Sequence, residues 1–219
     1  MRFPHAHRGV KLIFIAELVS IVSALVALIA AIFVPIIDSG TGSLSTPYQT
    51  LLLIAAIASI IVFVIQLCGL FFGAKDSREF RIGLWVTLVG LAATITSVIL
   101  QSINSTKGLS PVLFAALDTV AAIADFVVIM CILFGIASLA SQLGYTEMEE
   151  DGRRLAFYII LFYAISLLLG LLPGFNVYIV NTGWRFTLSI FGVVSTVLEI
   201  IVFVATIFYL HRATKMLEE

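Results

Sequence analysis

Six polar side chains stand in stretches that are otherwise apolar: Glu17, Ser59, Gln66, Asp118, Asp125 and Glu199. Ionised acids in such surroundings are costly, so each needs a partner, a proton or a purpose. The chemistry open to them is the handling of a proton or small cation, or the binding of an amine-bearing small molecule. Asp125 and Glu199 form the central pair. Each lies about a dozen residues into its apolar segment, which at ~1.5 Å per residue is ~15–20 Å deep, near the midplane of a bilayer. No Lys, Arg or His lies in an apolar segment at that depth. Two neighbouring carboxylates without a cation do not comfortably both ionise, so at least one is expected to hold a proton at neutral pH. The competing structural reading is that both are protonated acids, bonded to hydroxyls or backbone of neighbouring helices as packing glue.

Asp118 precedes Asp125 by seven residues and shares roughly its helical face, near the outer boundary. It reads as an interfacial residue or as the mouth of a polar path. Glu17 is six residues past Lys11, ~9 Å into the membrane, and Gln66 is expected at a similar inner depth. Both are candidates for the inner half of such a path, with a snorkelling or ion-paired Glu17 as the plain alternative. Thr87, Thr94, Thr96 and Ser97 are expected to bond back to the preceding helical turn. Gly69-Leu-Phe-Phe-Gly73 fits a close helix-packing motif.

The elements that carry these residues follow from composition. The 219 residues are 61% hydrophobic and 11% charged, with a mean hydropathy of +1.17. Soluble domains hold about 25% charged residues, so this is the composition of a polytopic all-α membrane protein. The net charge of −1 offers no basic excess for phosphate, which excludes nucleic acid as a partner. Apolar runs predict six transmembrane helices in a single domain, 1–219, at approximately 12–37, 51–74, 82–103, 112–141, 155–172 and 186–210. The first run is about twice the length of a signal-peptide core and reads as a span. Charged or turn-rich segments at 38–50, 75–81, 104–111, 142–154 and 175–185 separate the spans.

Six spans put both termini on one side. Arg2, Arg8, Lys11, Lys75, Arg78, Arg81, Arg153, Arg154, Arg212 and Lys215 then fall together, against Lys107 and Arg185 opposite. By the positive-inside rule both termini are expected to be cytoplasmic, in a multi-pass protein of the cell (plasma) membrane.

An internal repeat is also legible. AAIASIIVFVIQLCG (55–69) aligns with AAIADFVVIMCILFG (121–135), laying Ser59 on Asp125 and Gly69 on Gly135. TVLEIIVFVATIFY (196–209) places Glu199 at the same position, and Lys11, Arg81 and Arg154 align at the starts of the odd spans. The expected architecture is therefore three tandem helical hairpins about a pseudo-threefold axis, with Ser59, Asp125 and Glu199 in one layer.

No enzyme motif is present: G-x-S-x-G, H-E-x-x-H, the phosphate-binding loop and the dinucleotide glycine pattern are all missing. Cys68 and Cys131 read as small apolar residues, and neither cofactor nor metal site is expected. His5, His7 and His211 flank the spans, where solvation is expected. Two functions fit. One is a small transporter, channel or substrate-binding transport subunit with a midplane acidic layer. The other is a non-catalytic membrane scaffold or accessory subunit, binding a partner protein through its lipid-facing or cytoplasmic surfaces, the 142–154 loop among them.

Overall fold

The computed structural model describes residues 3–33, 46–107, 111–175 and 182–218, with side chains over 3–26, 46–101, 113–164, 197 and 200–218. The described residues form six helices: α1 (Pro4–Phe33), α2 (Thr46–Gly73), α3 (Arg78–Lys107), α4 (Pro111–Leu143), α5 (Thr146–Phe175) and α6 (Thr182–Glu218). Five of them contain stretches long and apolar enough to cross a membrane, within α1, α2, α3, α4 and α6. The outer part of α5, which carries the fifth expected span, lies outside the described side chains. The shortest of the six has 28 residues, ~42 Å, against a hydrocarbon core of ~30 Å.

Each helix is therefore longer than a hydrocarbon core is thick. The 142–154 stretch, read from its charges as a turn, is helical from Thr146 onward. Arg153 pairs with Glu149 and Arg154 with Glu150, each at 2.6 Å and four residues apart. Hydropathy marks where a bilayer would end. The helix continues as long as its backbone ladder and such i,i+4 pairs sustain it.

The junctions explain the chain reversals. Gly144 has φ +82°, which a residue without Cβ adopts freely. Tyr145 N–H donates to Ala140 O at 2.9 Å and Gly144 N–H to Ser141 O at 3.1 Å, the paired bonds of a Schellman cap on α4. Between α2 and α3, Asp76 accepts the Ala6 N–H at 2.7 Å and so caps the first turn of α1 across 70 residues of chain. Pro4 opens that turn, where a missing N–H costs nothing.

Helix contacts follow chain order and close through α1 and α6 into a ring. The tightest pairs are α3–α4 and α1–α2. Phe14 of α1 and His211 of α6 stack at 5.5 Å across the closure. Phe80 is the central wedge: it is fully buried, and its ring fills the space a Cβ would need at both Gly73 and Gly135. Around it pack Ala6, Val10, Ile13, Leu70, Ile136, Leu210 and Leu217. These residues come from the Pro4 end of α1, the Gly73 end of α2, the Leu143 end of α4 and the Glu218 end of α6, which share one end of the bundle. Among the described residues, the opposite halves bury far less, chiefly Ala93, Ser97 and Ala124 at the α3–α4 seam. Leu53 and Ile60 (62% and 63% exposed) and Trp85 and Phe208 (both 66%) face outward. Such surface is compatible with an integral membrane protein in contact with lipid.

Candidate functional site

Helical periodicity decides which way the acids turn. On α4, Asp125 precedes Ile132 by seven residues and Ile136 by eleven, one stripe at 3.6 residues per turn. Ile132 and Ile136 are buried against the core, while Asp125, on the same stripe, is exposed. Asp125 thus lies on the stripe of the buried isoleucines but is itself exposed, while Ala124 and Val128 beside it are buried. Glu17 is placed in the same way on α1: four residues past Ile13, seven past Val10 and eleven past Ala6, all buried. Glu17 itself is half-buried.

Their depths can be counted from the packed end. Gly135 abuts Phe80 and Glu79, and Asp125 is ten residues farther along α4, ~15 Å. Gly9 abuts Gly69 and Gly73, and Glu17 is eight residues farther along α1, ~12 Å. Each acid is thus ~12–15 Å along its own helix from a packed glycine contact.

Ser59 and Gln66 are brought together, apart from Asp125. Both line a cleft of about 380 Å³ between α1 and α2, with Ser20 and Ser23 on the facing helix and Val62 and Phe63 as apolar wall. Ser20 and Ser23 are residues that sequence reasoning passed over. The signal available was their spacing, i and i+3 on the stripe that begins at Ala6 and Gly9. The Ser59 hydroxyl donates to Ala55 O at 2.9 Å.

Asp118 belongs to the α3–α4 seam. It accepts a hydrogen bond from Ser97 Oγ at 3.1 Å, and Gln101 Nε2 donates to the same Ser97 oxygen at 3.3 Å. Thr87, Thr94 and Thr96 bond back to the carbonyl four residues earlier as expected, at 2.8, 3.0 and 2.7 Å. Ser97, only 4% exposed, instead turns its hydroxyl to a carboxylate on the neighbouring helix. About two turns deeper, Gly90 lets α3 approach Ala124. Next to Asp125, Phe126 stacks on Tyr163 at 4.4 Å, and the Tyr163 hydroxyl donates to Ala122 O at 3.2 Å, tying α4 to α5.

Glu199 lies within α6, and its side chain falls outside the described residues. The expected solvation of the histidines holds for His211, which is exposed, and fails for His7, which is 8% exposed against the core at the start of α1. Among the described residues no group of His, Cys, Asp and Glu is arranged to hold a metal ion. Carboxylates and neutral hydrogen-bonding groups on apolar helices are the groups that suit transient protonation or weak cation coordination. The chain matches no family model, no curated protein and no solved structure.

Proposed function

We propose that this chain is a small membrane transporter, channel or substrate-binding transport subunit that handles protons or small cations at an acidic layer. The observation that carries this reading is the placement of Asp125 and Glu17. Each continues a stripe of buried residues, Glu17 that of Ala6, Val10 and Ile13 and Asp125 that of Ile132 and Ile136, yet Glu17 is only half-buried and Asp125 exposed. An acid used only as packing glue would be buried and fully paired.

The three-hairpin repeat supports the same reading. Setting Lys11, Arg81 and Arg154 in register aligns Gly9, Glu79 and Gly152. The even-helix alignment puts Gly69, Gly135 and Tyr209 in register. A Cβ at Gly69 would meet Gly9, one at Gly135 would meet Glu79, and one at Gly152 would meet the Tyr209 hydroxyl. Three aligned pairs make three equivalent contacts. That supports hairpins α1–α2, α3–α4 and α5–α6 around a pseudo-threefold axis, with Ser59, Asp125 and Glu199 each ten residues from the contact. In this arrangement both termini are cytoplasmic, the membrane is the plasma membrane and the opening faces outward.

The test is flux in sealed vesicles containing the purified chain, read by a pH-sensitive dye under an imposed proton or sodium gradient. Asp125→Asn, Glu199→Gln and Glu17→Gln keep hydrogen bonding and remove the titratable group. Each is expected to abolish flux or its pH dependence while leaving the thermal unfolding of the detergent-solubilised protein unchanged. Equal flux in the wild type and all three variants would make the layer a packing device and the chain a scaffold.

A further inference from the structure

The cleft between α1 and α2 lies within the apolar parts of both helices, yet four of its lining side chains are polar: Ser20, Ser23, Ser59 and Gln66. None is charged. At about 380 Å³ the space is that of roughly a dozen waters at ~30 Å³ each. Elsewhere in the apolar helices Thr50, Thr87, Thr94, Thr96, Thr119 and Thr206 all return their hydroxyls to a carbonyl four residues back, as Ser59 does within the cleft. Ser20, Ser23 and Gln66 make no hydrogen bond among the described residues. Their donors and acceptors line one cavity. In hydrocarbon an unpaired hydroxyl or amide is strongly unfavourable, and water is the partner that suits such groups in a cleft of this size, whose walls are otherwise apolar.

The cleft also leads somewhere. Glu17 precedes Ser20 by three residues and Ala24, another lining residue, by seven, so it continues the same face of α1 toward the packed end. We propose that this cleft is a water-filled access path through which protons or small monovalent cations reach Glu17 from the end of the bundle opposite the termini. The proposal rests on the transport reading above and adds the route. Its neutral groups hydrate an ion without trapping it, and Glu17, beside the cleft on the same face of α1, supplies the attraction.

The experiment uses the full chain in membranes, with Cys68→Ala and Cys131→Ala as background. Single cysteines are placed in the cleft (Ser20→Cys, Ser23→Cys) and on the opposite face of α2 (Leu53→Cys, Ile60→Cys), where the native side chains are 62% and 63% exposed. The probe is the membrane-impermeant cation trimethylammonium-ethyl methanethiosulfonate, which needs water and a thiolate to react. Added on the side of residues 38–50, it is expected to modify the cleft cysteines at least tenfold faster than the two control positions. Glu17→Gln is expected to slow the cationic reagent at Ser20→Cys severalfold and leave the uncharged methyl methanethiosulfonate unaffected. Cleft cysteines no faster than the controls, or reactive only from the terminal side, would overturn the path. Equal slowing of both reagents would remove Glu17 from it. Labelling needs no flux, so fast cleft labelling in a chain without flux would sink the transport reading and keep the path. Flux with an unreactive cleft would do the reverse.

Discussion

A Cβ at Gly9 would stand 2.6 Å from Gly69 O and 2.7 Å from Gly73 N, and one at Gly69 would stand 2.8 Å from Gly9 O. These are backbone atoms that cannot swing aside. At Gly152 the obstacle is the end of the Tyr209 side chain, which can. Overpacking typically costs ~1–3 kcal/mol, so Gly9→Ala and Gly69→Ala are expected near or above the top of that range and Gly152→Ala near the bottom. Thermal unfolding in detergent gives the order, and Tyr209→Phe should recover part of the loss in Gly152→Ala alone. An equal cost at all three would mean that the α1–α2 approach is looser than the structure has it. At the α3–α4 seam, Asp118→Asn keeps an acceptor for Ser97 and is expected to be near neutral. Asp118→Leu strands a buried hydroxyl and should cost about 0.6–1.7 kcal/mol, the range of interhelical hydrogen bonds in membranes.

For helices, the ends carry more information than the middles. The apolar centres are interchangeable runs of Val, Ile and Ala, while the caps are particular. Asp76 reaches from the α2–α3 junction to the first turn of α1, joining two elements that the ring must hold together. Replacing it with Ala is expected to cost about 1 kcal/mol, and Ser or Asn should restore most of that. Proteolysis near residues 4–12 would report the frayed turn, and an unchanged cleavage rate in Asp76→Ala would exclude the cap. The charged start of α5 behaves differently. Arg153 and Arg154 are mostly exposed at 69% and 64%, so Ala at either should change stability by no more than ~0.5 kcal/mol, and less at high salt.

The ring is the property of the whole molecule, and its closure is the contact between the first helix and the last. Phe14→Cys and His211→Cys, in the background without native cysteines, are expected to cross-link on mild oxidation. Phe14→Cys with Phe208→Cys, whose native ring is 66% exposed, should not. Failure of the first pair would open the ring and leave Asp125 and Glu17 facing separate surfaces. Orientation is a second whole-molecule question. Cysteines at 38–50 and 104–111 should label from outside intact cells, and those at 75–81 and 142–154 only after permeabilisation. The reverse pattern would invert the topology, and with it the side on which the α1–α2 cleft opens.

The sequence by itself determined the helical class, the apolar spans and the candidate polar residues, because length, hydropathy and charge are local quantities that need no neighbour. It also marked Gly69 and Gly73 as a close-packing motif, and a Cβ at either position would meet neighbouring atoms. Tertiary structure decided the rest. That Ser97 turns to Asp118 and not to its own helix depends on how close Gly90 brings α4. That Ser59 and Gln66 face Ser20 and Ser23 depends on the pairing of α1 with α2. Each is set by an interhelical distance, and no single helix's residue order contains one.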